Sequence, residues 1–550
     1  MHIIHLELGQ CKCALMETRP TRWCLLIFRW IGLILHTPQR SWPLKRTSGG
    51  GDSQIGFGFP RPKIPKIRSK MLLQLRQLPF LFLLHPILAL SVPMVEQVQR
   101  AEELLSSHWL SQAQTQLRER LARTKDSIAD VRQAKNVVML LGDGLSITTL
   151  TAARILKGQR RGGRGEEAQL AVEQFPFTGL SKTYCIDEQT PDSACTATAY
   201  FGGVKTHSGT VGQSGSGERV ESVLQWAQRA GKATGVVTTT RLTDASPAGA
   251  YAHVSRRGEE LEIARQLVEE EPGRNLNVIL GGGLGKFADE RRDGKDLLAQ
   301  WRESNPNGCF ARSLKELRNC SDATGTLLGL FSDSHMSYHL AASKELPRLC
   351  DMAAAAIEKL ERKSQEDGNG YFVFIEGGRI DHGHHETRVG YALDEMLEFD
   401  AAVETVIQMT DPRDTLVVVT ADHSHTLSMS GYAKRGTPIL GMGAQQRDVN
   451  GVPYSTLNYA IGKWQSLDKD GRRESPSKTL SPTSYTPSYI HGRKGVHSGE
   501  DVVVFAMGPQ SHLFGGVMEQ NLLPHLMGYA ACLGNSVTLC NQDTDADLTA

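Results

Sequence analysis

Short, wholly apolar runs alternate along this chain with longer stretches whose apolar positions recur at helical spacing. Val137 to Leu141 is such a run; Gly142-Asp143-Gly144 stops it, and the helical pattern ITTLTAARIL follows. Gly235-Val236-Val237-Thr238 ends near Arg241 and Asp244, and Val278-Ile279-Leu280 ends in glycines. Tyr371 to Ile375 ends at Glu376-Gly377-Gly378, and an amphipathic series (Leu393, Met396, Leu397, Ala401, Val403, Ile407) comes after it. Thr415 to Thr420 runs into Ala421-Asp422-His423, and Asp501 to Phe505 forms a last run. Apolar runs of this length between turn signals predict strands buried on both faces. Alternation with helices predicts an α/β fold, a large mainly parallel sheet flanked by helices on both faces. Such sheets place ligands beyond the carboxyl ends of their strands, and Asp143, Glu376 and Asp422 all fall at that edge.

The stretch 371–386, YFVFIEGGRIDHGHHE, carries the densest chemistry. Asp381 and His385 are four apart, so a helical turn puts one carboxylate and one imidazole on the same face, within reach of one cation. Asp381, His385 and His497 form one candidate ligand set; Asp143, Asp422 and His423 form a second. Mixed histidine and carboxylate ligands suit zinc, and three protein ligands leave a position open. Glu376 with Ser246, and with Asp143 as a further candidate, offers only oxygens, which suits magnesium.

Bulk composition narrows the class. The chain has 550 residues, a net charge of +1 and 22% charged residues, with neither a basic footprint for nucleic acid nor an acidic tail. Hydrophobic content of 40% with 54 glycines suits a loop-rich globular enzyme. Residues 1–91 read as a leader. Within it, Met71 opens basic residues, the apolar stretch LPFLFLLHPILAL and Ala89-Leu90-Ser91, the layout of a secretory signal peptide cut after about Ser91. Residues 1–70 then belong to a misassigned start. Residues 92–550 read as one catalytic domain, with a polar helical stretch (96–132) packed outside the core. Residues 431–496 are a loop-rich insertion near the mouth of the site, within which Ser475 to Tyr489 reads as a loop. The end Asp543–Ala550 has no apolar tail, so a lipid anchor is not supported, and no transmembrane helix is expected in the mature chain. Of ten cysteines, Cys532 with Cys540 is the expected disulfide and Cys309 with Cys320 a weaker one. Cys185, Cys195 and Cys350 are expected as buried thiols. Asn319-Cys320-Ser321 is a glycosylation sequon.

A nucleophile candidate lies in PDSACTATAY. Ser193 would open a helix, where backbone N–H groups favour a bound phosphate; by composition alone Asp192-Ser193 is an ordinary helix cap. Arg256, after Ala245-Ser246-Pro247-Ala248-Gly249, could hold two phosphate oxygens bidentately.

The motifs LLGDG, PDSACTATAYFGGVK, TTTRLTDASPAGAYAHVSRR, VILGGG, FIEGGRIDHGHHE and TADHSH, with His497 just before Gly499-Glu500-Asp501-Val502, stand in the order and spacing of animal alkaline phosphatases over roughly residues 100–540. The chain resembles that family. The resemblance implies Ser193 as the phosphorylated nucleophile and Arg256 as the phosphate clamp, with two zinc ions and one magnesium ion per subunit on the ligands grouped above and Asp143 bridging one zinc to the magnesium. It promotes His497 to a ligand, places His382 and Asp244 around the ligands, and implies a secreted homodimer that hydrolyses a broad range of phosphate monoesters at alkaline pH. Sulfatases, phosphodiesterases and mutases that share the sheet are one alternative, a catalytically weak, secreted metal-binding or interaction protein is a second, and a purely structural glycoprotein is a third. Several positions depart from the family pattern. GDGMG reads GDGLS; Asp244 stands where animal members have histidine and bacterial members aspartate, and is expected to hold magnesium through water; Cys195 replaces a small residue; Gly495-Val496 precede His497; Ser332 and Leu346 fall at calcium-ligand positions; and the Gly203–Gly217 region is short and lacks the family's first disulfide.

Overall fold

The computed structural model describes residues 130–540 apart from 321–324, 465–466, 468–469, 473–480, 535–536 and 538–539. The leader 1–91, most of the polar stretch 96–132, Ser321 of the sequon and the end 541–550 lie outside the described residues.

Each apolar run forms a strand of one ten-stranded sheet. The strands are β1 (Asn136–Gly142), β2 (Phe177–Lys182), β3 (Ala233–Arg241), β4 (Val278–Gly282), β5 (Cys309–Ala311), β6 (Leu327–Leu330), β7 (Tyr371–Gly377) and β8 (Thr415–Ala421). Two short strands follow, β9 (Ser424–His425) and β10 (His497–Ser498), and then β11 (Val502–Met507) and β12 (Gly516–Glu519). The sheet order is β12-β2-β11-β8-β1-β7-β3-β4-β6-β5. All pairs from β8 to β5 are parallel, and only β11 runs against its neighbours β8 and β2. The mainly parallel expectation therefore holds. The sequence pattern missed four strands: β5 and β6 at one end, β2 and β12 at the other. Near a sheet edge a strand is short or half-covered, so its apolar run shrinks or breaks, as in β2 with only Gly179 and Ser181 buried.

The central strands β1, β7 and β8 are buried along their whole length. Apolar side chains on the two faces of the sheet feed two separate cores. On one face lie α1 (Ile147–Arg160), α4 (Leu349–Asp367) and α6 (Val389–Met409); on the other lies α2 (Ser193–Gly202). The short helices α3 (Ala245–Ala248) and α5 (Arg379–His385) sit at strand ends.

In the insertion, Leu457–Gly462 and Ser488–His491 join Leu427–Met429, just ahead of it, in a three-stranded sheet, and Met442–Arg447 pairs with Pro453–Ser455. Ser488 and Tyr489 are thus strand, not loop as their composition suggested. The insertion returns to the sheet edge through β10, which pairs antiparallel with β9 and sets His497 opposite His425.

Three disulfides are present, Cys185–Cys195, Cys309–Cys320 and Cys532–Cys540, with Cα–Cα separations of 5.8, 5.6 and 5.8 Å. The last two match the sequence reading. Cys185 and Cys195 do not remain thiols. The turn after β2 carries Cys185 back over the start of α2, a proximity that no local spacing announces. Cys350 is buried in α4.

Candidate active site

Register builds the centre. Leu141 of β1 lies beside Glu376 of β7, and Gly142 lies beside both Gly377 and Ala421 of β8. Asp143, Glu376 and Asp422 therefore leave three adjacent strands at one level. All three are buried, and each keeps a carboxylate oxygen with no hydrogen-bond partner: Oδ1 of Asp143, Oε1 of Glu376 and Oδ2 of Asp422. Burial raises the Glu376 carboxyl to about 8 and that of Asp422 to about 6. Burial first, then the charges of Asp422, Asp381 and Glu376, pushes Asp143 well above the usual range. Without a counter-charge, buried carboxylates crowded in this way take up protons; a bound cation is what lets all three ionise together.

Gly144 shapes the turn after β1. Its φ of 69° lies in the left-handed region, and a Cβ there would come within 2.7 Å of His425 and 3.0 Å of the Asp381 backbone. Its N–H donates to Oδ1 of Asp422 at 2.9 Å.

Asp381 and His385 do share one face of α5, with His385 Nε2 3.3 Å from Asp381 Oδ2. His497 Nε2 lies 3.4 Å from Asp381 Oδ1 and 3.0 Å from His385 Nε2. The Nδ1 of His385 donates to the Gly495 carbonyl at 2.7 Å, and that of His497 to the Pro191 carbonyl at 2.8 Å. A carbonyl can only accept, so both rings carry hydrogen on Nδ1 and, as neutral imidazoles, present a bare Nε2 to each other. Two lone pairs at 3.0 Å need a cation between them. Ligand atoms about 2.0–2.1 Å from a tetrahedral zinc lie roughly 3.4 Å apart, so the three residues fit that ion.

Sequence reading missed a fourth member. His425 Nε2 bonds Asp381 Oδ1 at 2.5 Å, and Asp381, His385, His425 and His497 converge as one group. Its signal was present in TADHSH, because His423 and His425 are two apart in an extended segment and share a side of it. On the other side of Asp381, His423 Nε2 lies 3.0 Å from Asp422 Oδ2 and 3.7 Å from Asp143 Oδ1. Asp143, Asp381 and His423 form a second convergent group, so Asp381 stands between the two sets. The third set is all oxygen. Ser246 Oγ is 3.4 Å from Asp143 Oδ2, and Glu376 Oε2 accepts from the Thr238 and Thr240 hydroxyls.

Ser193 is the first residue of α2, whose N-cap is Asp192. The Ser193 Oγ is buried 3.2 Å from His423 Nε2, at the edge of the second metal set.

The structure corrects Arg256. Its side chain is 84% exposed and turns to Glu259 at 3.7 Å. The neighbouring Arg257 points inward, donating to Asp192 Oδ2 at 3.2 Å and to Asp244 Oδ1 at 2.9 Å. Burial works against its charge, yet Asp244 and Asp192 together raise its pKa. Arg256 and Arg257 are adjacent in one tight turn, closed by the Glu259 N–H on the Arg256 carbonyl at 2.9 Å, and leave it in different directions, so a one-residue choice decides which arginine enters the site.

Asp244 caps α3 through the Ala245 N–H at 2.8 Å and also holds Arg257. Burial opposes its ionisation, but Arg257, His382, His335 and Arg241 lower its pKa overall. His335 and His382 stand 3.7 and 3.9 Å from its Oδ2. Although Asp244, His335 and His382 converge, Arg379 can only donate to His382 Nδ1, at 2.7 Å. The His382 hydrogen therefore sits on Nε2, facing Asp244. That leaves His382 itself with no lone pair facing the group, while the Asp244 carboxylate is oriented by Arg257 and the Ala245 N–H.

A family model for alkaline phosphatase matches residues 134–533. The chain belongs to the alkaline phosphatase family. The tissue-nonspecific isozyme of Gallus gallus is 40% identical over 491 residues, 80% of this chain and 92% of that protein. The Homo sapiens isozyme is 38% identical over 501 residues, 82% and 94% of the two chains. Among solved structures, the alkaline phosphatase of the Antarctic bacterium TAB5 superposes with a TM-score of 0.57 at 26% identity, covering 74% of this chain and all of that one. A histidine-to-aspartate mutant of the TAB5 enzyme is solved with magnesium bound in its M3 site, and superposes with a TM-score of 0.56. As an alkaline phosphatase this chain is a phosphoric monoester hydrolase, and its chemistry depends on metal.

Proposed function

We propose that this alkaline phosphatase works through a phosphoserine at Ser193, with two zinc ions and one magnesium ion per subunit, on a broad range of monoesters at alkaline pH. Asp381, His385 and His497 would hold one zinc, with His425 fixing Asp381. Asp143, Asp422 and His423 would hold the other, and Glu376, Ser246 and Asp143 the magnesium. Bound there, these ions supply the Lewis-acid charge that favours an ionised Ser193 and a departing alkoxide.

The chain's own groups do the rest. Arg257, kept charged by Asp192 and Asp244, binds two phosphoryl oxygens. The N-terminal N–H groups of α2 add positive potential where Ser193 attacks. The Ser193 oxygen displaces the alcohol in line, and water then releases phosphate and restores the hydroxyl. These groups address the phosphoryl group and not the alcohol, which supports a broad substrate range. The TAB5 mutant supports magnesium as the third ion, because Asp244 brings the same carboxylate-for-histidine exchange relative to animal members. Asp244 would act through water and His382 through Asp244.

The observation that carries this reading is the Ser193 Oγ, 3.2 Å from His423 Nε2 beside Arg257. Trapping labelled phosphate on the enzyme at acid pH and mapping the modified peptide tests it; label anywhere but Ser193 removes it. Comparing turnover of monoesters, diesters and sulfate esters tests the substrate class. We also infer a secreted homodimer. Three disulfides support an oxidising compartment, and among the described residues no helix is long and apolar enough to cross a membrane.

A further inference from the structure

The loop closed by Cys185 and Cys195 holds Pro191, Asp192 and Ser193 in succession, and each sets a different part of the site. The Pro191 carbonyl takes the Nδ1 hydrogen of His497 and so turns Nε2 toward Asp381. The Asp192 carboxylate caps α2 through the Cys195 N–H at 3.1 Å, ties down Gly209 N at 3.0 Å and holds Arg257. Ser193 presents its hydroxyl. Upstream, residues 186–190 are all exposed, while both cysteines are buried, at 3% and 2%. Backbone hydrogen bonds from Cys185 to Glu188 and from Ile186 to Thr206, with the Ser208 N–H on Asp187 Oδ1 at 3.0 Å, hold that run as far as Glu188.

We propose that the Cys185–Cys195 disulfide is the positioning element of this active site, a covalent clip that keeps a metal ligand, the phosphate clamp and the nucleophile in mutual register. This rests on the reading of Ser193, Arg257 and His497 given above. The clip also makes turnover redox-dependent. Reduction by a phosphine transfers two electrons to the disulfide, which takes up two protons as two thiols, while the phosphine becomes its oxide with oxygen from water. The exposed run then moves, and with it residues 191–193. A displacement of about 1 Å in reacting groups costs on the order of a hundredfold in rate.

The comparison that isolates positioning from stability uses the second disulfide. Cys309–Cys320 closes a loop of nearly equal length, with sequence separation 11 against 10. Loops of equal length constrain the unfolded chain about equally, yet Cys309 lies in β5 at the sheet edge, away from the site. The Cys185→Ala/Cys195→Ala double variant should lose at least about tenfold in kcat, form labelled phosphoserine more slowly and release zinc to a chelator faster. Cys309→Ala/Cys320→Ala should change none of these. Wild-type rate, phosphorylation and zinc retention in the folded Cys185/Cys195 variant would overturn the proposal. If that variant does not fold, the native enzyme is reduced by phosphine and alkylated. Loss of activity must then track modification of Cys185 and Cys195, not of Cys309 and Cys320, and reoxidation before alkylation must restore it; full activity after both are modified overturns the clip. A native enzyme that forms no phosphoserine defeats the Ser193 reading instead, which keeps the two failures apart.

Discussion

His385 and His497 face each other through Nε2 atoms 3.0 Å apart, each with its Nδ1 hydrogen committed to a backbone carbonyl. As neutral imidazoles neither ring can donate to the other, so above the histidine pKa the pair is set for a shared cation. His497→Ala should therefore release one zinc per subunit more readily, with its dissociation constant rising about 10- to 100-fold. Metal analysis after graded chelation reads the loss directly, and activity should disappear in parallel.

Arg257 and Arg256 should separate cleanly in kinetics. Arg257→Ala removes the inward guanidinium and should lower kcat/KM about a hundredfold, with weaker inhibition by inorganic phosphate. Arg256→Ala touches only Glu259 at the surface and should stay within about twofold of wild type. Equal effects from the two substitutions would return the clamp to an open question.

Ser193→Ala should abolish covalent labelling by phosphate while the protein still binds its full complement of zinc. The zinc ligands proposed above are Asp381, His385, His497, Asp143, Asp422 and His423, all still in place in this variant, so metal content is the control. Label retained in this variant would move the nucleophile elsewhere.

Asp244→His exchanges a hard carboxylate for a borderline nitrogen beside the oxygen-lined set, which favours zinc over magnesium there. Activation by added magnesium should shrink. Because the carboxylate also holds Arg257, inhibition by phosphate should weaken severalfold as well. Identical magnesium activation curves would leave Asp244 as a partner of Arg257 and the cap of α3.

Away from the centre, His339 and Asp394 pair at 2.7 Å. The hydrogen bond to Asp394 raises the His339 pKa above its ordinary 6.5, against the effect of burial. A raised histidine contributes its full stability below the unfolded value and loses it as pH rises through the folded value. Asp394, which His339 lowers against its own burial, stays ionised through that window. His339→Gln should thus lower the melting temperature more at pH 6 than at pH 9, by a difference on the order of 1–2 °C. Thermal scans at both pH values measure it.

The sequence by itself determined the sheet and most of the chemistry. Val137–Leu141, Tyr371–Ile375 and Thr415–Thr420 announce buried strands because burial on both faces demands continuous apolar runs. Asp143, Glu376 and Asp422 announce the site because each closes such a run. Asp381 and His385 were legible because the helical period alone makes them neighbours. Tertiary structure decided everything that depends on which surfaces meet. Arg256 and Arg257 are equivalent as text, and only the turn beyond α3, packed against Asp192, selects Arg257. Cys185 and Cys195 look like two buried thiols until the turn after β2 folds back onto α2. His335 enters the site from a loop that carries no local signal, and His425 becomes a partner of Asp381 only when β9 pairs with β10. Periodicity records what a residue needs from its neighbours in sequence; a side chain's partner across the fold is fixed by packing, which local pattern does not encode.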